Sequence, residues 1–228
     1  MNSRQTDFLN TASSVSLRDL KPFLEEHTVK ILREVSPPRA TLRLLDCNLV
    51  SKDFFDSSAL YRLTLGRWLL KREFKVYERL KGIPGVMQGI FLPHKDLFCM
   101  EYLDNYSDLK AVDANALPPE ALEQLERIIA AIHERNIVHF DIGHDSSGDY
   151  GRETNILWSA EEQKLCLIDF AGSIDISLIP GFISKTMRVS DWLAAVKLCA
   201  KFFPGKDPQL PLEISDFDRK VLKLLRKI

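Results

Sequence analysis

Apolar and polar positions along the chain follow two different periods. Between residues 28 and 54 they fall into three short runs, 28–34 (TVKILRE), 40–46 (ATLRLLD) and 48–54 (NLVSKDF), each of strand length. Ser36-Pro37-Pro38-Arg39 separates the first run from the second, and Asp46-Cys47-Asn48 supplies a tight turn before the third. From 58 to 81 the period changes. Leu60, Leu63, Leu69, Leu70, Phe74, Tyr77 and Leu80 recur at helical spacing, and Gly82-Ile83-Pro84-Gly85 closes the predicted helix. Strand-like runs follow at 86–92 (VMQGIFL) and 96–103 (DLFCMEYL). Residues 119–135 predict a second strong helix, with Pro119 near its first turn. A loop then covers 136–154, short strands cover 155–158 and 164–169, and helices are expected at 189–203 and roughly 213–227.

Residues 1–26 are polar with a short amphipathic stretch and read as an N-terminal arm or leading helix. The order is strands, one helix, two strands, then a mainly helical half, which predicts a segregated α+β fold rather than alternating βαβ units. The expected division is 1–26, a β-rich lobe at 27–104 and a helical lobe at 105–228, with a hinge near Asp104-Asn105. No internal repeat or low-complexity tract interrupts this order.

Composition narrows the picture. A chain of 228 residues, 45% of them hydrophobic, can bury a substantial core. A net charge of −1 gives no support to nucleic acid as a main partner. The basic clusters at Lys71–Arg72 and Lys220 to Lys227 read as solvated helix faces. Cys47, Cys99, Cys166 and Cys199 form no CxxC pair and suit neither zinc nor a disulfide framework, so a reducing compartment is expected. MNSRQTDFLN lacks the apolar stretch of a signal peptide, and no apolar run approaches the ~20 residues needed to span a bilayer. The expectation is a soluble cytoplasmic protein, still able to dock on a membrane surface.

The chemistry concentrates downstream. Ile137-Val138-His139-Phe140-Asp141 follows an apolar helix, Asn155-Ile156-Leu157 opens a strand, and Leu167-Ile168-Asp169-Phe170 closes another with an acid at its tip. Asn155 and Asp169 are hard oxygen donors suited to Mg²⁺, which takes few protein ligands and leaves room for phosphates. Asp141 can accept a hydroxyl proton, and phosphoryl transfer asks mainly for positioning and charge neutralisation.

These motifs carry a family resemblance. HFD at 139–141, Asn155 and DFAG at 169–172 resemble the catalytic loop and the metal-binding DFG segment of protein kinases. Ile132 to His139 is similar to the usual lead-in to that loop. Ser51-Lys52-Asp53-Phe54, Leu65-Gly66-Arg67-Trp68-Leu69, Arg72-Glu73 and Leu80-x-Gly82-Ile83-Pro84-Gly85-Val86 resemble lipopolysaccharide-core kinases of the Kdo/heptose type. The resemblance covers residues 45–172.

It implies a protein-kinase-like two-lobe fold with a shortened helical C-lobe. It also implies ATP and Mg²⁺ as cofactors, and transfer to a hydroxyl of a lipopolysaccharide-core sugar or a protein Ser/Thr. With a lipid-linked acceptor, the enzyme would work in peripheral contact with the inner membrane surface. Asp141 would be the catalytic base, with His139 in the same loop. Lys52 would contact the nucleotide phosphates and Glu73 would pair with it, while Asn155 and Asp169 would hold the metal. Arg39, Glu101 and Leu103 fall on the nucleotide side. Lys30 and Arg43 are the fallback cations, and Glu78 competes with Glu73. Asp191 is either a buttress of the catalytic loop or a helix N-cap.

Three features depart from the pattern. No glycine precedes Gly66, so the phosphate-covering stretch would be Val35 to Arg39, with the Arg39 charge replacing backbone donors. The position five residues after Asp141 is Ser146, and Asn155 comes only after a polar segment, 143–153, expected to face the acceptor, the alternative being an uninvolved surface insertion. The chain after Gly172 is short, as in RIO-like kinases. A pseudokinase serving as a binding or scaffold module is the alternative expectation, and transfer of a nucleotidyl group on the same fold a weaker third.

Overall fold

The computed structural model describes residues 1–113, 116–142 and 154–203. The 143–153 segment, the helix expected at 213–227 and the Lys220–Lys227 cluster lie outside these residues. The chain forms two compact units, one of residues 1–78 and 87–103, the other of residues 79–86 and the chain from Asp104 onward.

The first unit is built on a five-stranded antiparallel sheet in the order β1-β2-β3-β5-β4. Its strands are β1 (Thr28–Arg33), β2 (Thr41–Leu45), β3 (Leu49–Asp53), β4 (Ile90–His94) and β5 (Leu97–Glu101). The β2–β3 turn places Asn48 at φ 62°, where its N–H donates to Leu45 O at 3.1 Å; Asn is among the few side chains that tolerate this left-handed backbone. β4 starts at Ile90, later than the apolar run from 86 suggests. Just before it, Gly89 O accepts the Glu101 N–H at 2.8 Å, and a Cβ on Gly89 would lie 2.3 Å from the Glu101 carboxyl. A side chain at 89 would have to displace the Glu101 carboxyl.

All of β3, from Leu49 to Asp53, is buried, so both faces of the sheet are covered. Residues 1–26 cover one face, as two helices instead of one: α1 (Ser3–Ser14), opened by an Asn2–Gln5 capping box, and α2 (Leu17–His27). Phe8, Ala12, Leu20 and Leu24 pack there with Leu45, Cys47, Leu49, Leu97 and Cys99. Each large side chain so buried contributes about 1.5–3 kcal/mol. Strand alternation turns Val50, Lys52, Phe98 and Met100 to the opposite face.

The helical pattern of 58–81 resolves into α3 (Ala59–Tyr61), a π-helical turn (Arg62–Gly66) and α4 (Arg67–Leu80). Gly66 lies against the Phe54 ring, where an added Cβ would come within 3.0 Å. Tyr77 of α4 stacks on Phe98, with ring centroids 6.0 Å apart.

The second unit contains β6 (Ser107–Asp108), α5 (Glu120–Glu134), β7 (Ile137–Val138), β8 (Ile156–Ser159), β9 (Lys164–Leu167), β10 (Ile174–Asp175) and α6 (Gly181–Phe202). β6-β8-β9 form one small sheet and β10-β7 another. Leu122, Leu125, Ile129 and Ile132 of α5 are buried at helical spacing. Gly85, at φ 82°, accepts the Leu167 N–H at 2.7 Å, and a Cβ there would meet Ile128 at 2.4 Å. α6 begins at Gly181, not at 189, with Pro180 at the N-cap position, its carbonyl accepting the Ile183 and Ser184 N–H groups at 3.0 and 2.9 Å. Asp191 therefore lies inside the helix. Among the described residues no helix is long and apolar enough to cross a membrane. All four cysteines are buried thiols.

Candidate active site

In the first unit, the Lys52 ammonium donates to Glu73 Oε1 at 2.6 Å and lies 5.6 Å from the centroid of the Phe98 ring. Lys52 is 3% exposed and Glu73 2%, so both charges have left water, a state tolerated when they are paired. Position follows from sequence: Lys52 pairs across the ladder with Phe98, and Glu73 sits on the turn of α4 that faces the sheet.

Glu78, the competing acid, is exposed, as is Lys30 on β1. Arg43 is engaged elsewhere, donating from Nε to Asp53 at 2.9 Å and from Nη2 to Asp56 at 2.8 Å. Burial raises the Asp53 carboxyl above its usual range, while Arg43 pulls it down.

Lys52→Met is expected to cost about 3–5 kcal/mol in urea unfolding, because it strips Glu73 of this partner inside the unit. Adding Glu73→Leu should restore most of that loss. A double variant no more stable than the single one would contradict the account of the pair.

The other nucleotide-side candidates are more open. Arg39 is exposed on the β1–β2 connection, where its N–H donates to Ser36 O at 2.8 Å and the Ser36 N–H donates back at 3.1 Å. Glu101 ends β5 half-buried, and Leu103, also half-buried, is the last residue of the first unit.

In the second unit, Asp191 organises the loop after β7. Its Oδ2 accepts the His139 backbone N–H at 2.8 Å and lies 2.9 Å from His133 Nε2. Its Oδ1 accepts the Phe140 N–H at 2.8 Å. Asp191 is 1% exposed, so this carboxylate exchanges water for protein donors. The N-cap alternative fails, since Asp191 is interior to α6. His133 was not legible as a partner; its only signal is a polar residue on the apolar face of α5.

His139 is fully buried, and both ring nitrogens are engaged. Nε2 donates to Ile168 O at 3.0 Å, and Nδ1 accepts the Asp141 N–H at 3.2 Å, which fixes a neutral ring protonated on Nε2. The ring packs on Phe170 with centroids 4.5 Å apart. Asn155 Nδ2 donates to Asp141 O at 2.7 Å, and Asn155 O accepts the Ile168 N–H at 2.9 Å. Gly172 also lies beside Asp141, since a Cβ on it would be 3.9 Å from Asp141 Cβ. His139, Asp141, Asn155 and residues 168–172 are thus one hydrogen-bonded and packed cluster.

Upstream of Asn155, Asp108 accepts from Thr154 N at 3.0 Å and Thr154 Oγ1 at 2.9 Å, a support the sequence did not reveal. Phe140 (φ 67°) and Asp169 (φ 59°) hold left-handed backbone, which side chains other than glycine adopt at a cost of about 1–3 kcal/mol and which clusters at functional sites.

Among the described residues no group of three or more His, Cys, Asp or Glu side chains is placed to hold a metal ion. Asn155 and Asp169, the two residues expected to hold Mg²⁺, each carry a side-chain oxygen. Two protein oxygens suit Mg²⁺, which keeps waters and phosphate oxygens in its other positions.

No family model matches the chain, and no curated protein matches it in sequence. Solved structures do match. The Rio2 kinase–ADP/Mg²⁺–phosphoaspartate complex from Chaetomium thermophilum aligns with TM-score 0.59 and 14% identity, over 90% of this chain and 64% of that one. A second Rio2 kinase structure from the same organism gives 0.57 and 13%, over 90% and 66%. The Cydia pomonella granulovirus kinase PK-1 gives 0.47 and 15%, over 91% and 79%. The chain spans about two thirds of the Rio2 structures it matches. It has an α+β protein-kinase-like fold, an N-terminal antiparallel sheet with its helix followed by a helical C-terminal part.

Proposed function

We propose that the protein is an ATP-dependent phosphotransferase acting on a hydroxyl acceptor. The observation that carries this reading is the loop His139–Asp141, pinned by Asp191 and tied to Asn155 and Gly172, with the Asp141 carboxylate on an exposed residue. Asp141 takes the acceptor proton or orients the attacking oxygen. His139 positions Asp141 through its backbone N–H and does not touch substrate, because both of its nitrogens are engaged inside the protein. Lys52, oriented by Glu73, donates to phosphate oxygens. Asn155 commits its Nδ2 to Asp141 O, which leaves Oδ1 as the atom to ligate Mg²⁺ together with Asp169. When bound, Mg²⁺ neutralises phosphate charge. The ADP and Mg²⁺ of the Rio2 complex support this ligand class for the fold.

The acceptor hydroxyl belongs to a lipopolysaccharide-core sugar, the class the motifs across residues 51–86 resemble, or to a protein Ser/Thr. Transfer from γ-labelled ATP, offered core sugar and protein acceptors in turn, tests the reading. Label should move to one class, and neither transfer nor ATP hydrolysis in the presence of Mg²⁺ would refute the enzyme.

One observation favours a second reading, a pseudokinase that binds without turnover. In the β1–β2 connection Pro37 and Pro38 have no N–H, and the N–H groups of Ser36 and Arg39 bond each other's carbonyls. Residues 36–39 therefore offer phosphate no backbone donor.

A further inference from the structure

The segment through α3, the π turn and the start of α4 exposes Leu60 (75%), Leu63 (40%), Leu65 (43%) and Trp68 (55%). Leu60, Thr64, Trp68, Lys71 and Lys75 follow at steps of three or four residues, so they share one face, and all five are exposed. The Arg72 guanidinium lies over the Trp68 ring at 5.3 Å. From Ser57 to Arg72 the chain has no acid, but it carries Arg62, Arg67, Lys71 and Arg72. Arg67 is answered by Asp96 at 2.8 Å, and Glu73 is turned inward on Lys52. From Ser57 to Lys75 this segment therefore exposes cations and apolar side chains but no acid, within a protein whose net charge is −1. Glu78 is the first exposed acid along the helix.

We propose that this face docks on an anionic lipid bilayer surface, lying in its plane. Leu60 enters the acyl boundary, and Trp68 seats its amphipathic ring at headgroup depth. Lys71, Lys75 and Arg72 reach lipid phosphates with their long stems along the apolar surface. Flexible lysines around aliphatic side chains are the composition that protein–protein interface cores avoid and interfacial helices favour. Docking stands apart from phosphotransfer, and a pseudokinase would dock equally.

Vesicle flotation of the full chain tests this, using phosphatidylcholine with and without phosphatidylglycerol. Binding is expected only with the anionic lipid and should weaken as salt rises. Trp158 and Trp192 are buried, both 2% exposed, so a blue shift of tryptophan emission on vesicle addition reports Trp68. Leu60→Ser/Trp68→Ser and Lys71→Glu/Lys75→Glu should each weaken binding by about tenfold or more, with unchanged unfolding midpoints. Three results would overturn the proposal: no binding by the parent protein, equal binding by folded variants, or a lipid-free homodimer that the same variants dissociate. Should a variant fail to fold, the emission shift and salt dependence of the parent protein still decide.

Discussion

Asp141→Ala is expected to lower phosphoryl transfer by about three orders of magnitude while leaving ATP affinity within about twofold. The substitution is clean. Asp141 is exposed, and among the described residues its hydrogen bonds run through the backbone: its N–H to His139 Nδ1 and its carbonyl to Asn155 Nδ2. Alanine keeps both, so stability should change by no more than about 0.5 kcal/mol. Single-turnover transfer and equilibrium ATP binding, measured on the same preparation, separate chemistry from binding. Unchanged transfer would remove Asp141 from the role of base.

Asp191→Ala should be the most destabilising single change in the second unit, by about 3–5 kcal/mol in denaturant unfolding. It strands the His139 and Phe140 N–H groups and the His133 Nε2–H, in places where water does not reach Asp191. Each stranded donor costs about 1–3 kcal/mol. With whole-domain stabilities of about 5–15 kcal/mol, such a loss is a large share. Asp191→Asn keeps one acceptor oxygen and should fall between. Because Asp191 acts on Asp141 through the loop, the folded Asn variant should lose kcat more than ATP affinity. A cost under about 1 kcal/mol for alanine would mean that the loop holds itself without Asp191.

Local sequence made much of this architecture readable. Short apolar runs located β1, β2 and β3, and period-three-to-four runs located α4 and α5; of the three strands β2 alternates in burial, β3 is buried throughout and β1 is largely exposed. The Lys52–Glu73 pair was legible only through the kinase resemblance, in which Arg72-Glu73 favoured Glu73 over Glu78. Other features depended on distant packing. Residues 1–26 look polar because α1 and α2 bury only a few side chains, Phe8, Ala12, Leu20 and Leu24 among them, against the sheet. The start of α6 was missed although Pro180-Gly181 punctuates it, and with it the interior position of Asp191. His133 and Asp108 act through partners 58 and 46 residues away, and no local pattern encodes such pairs.

The measurement closest to the central claim is Mg²⁺-dependent ATP binding, read as a shift of the thermal unfolding midpoint. Ligand that binds only the folded chain raises the midpoint with concentration. The expected result is a rise with ATP and Mg²⁺ that loses its Mg²⁺ dependence in Asp169→Ala. No shift for the parent protein at millimolar ATP with Mg²⁺ would contradict the claim.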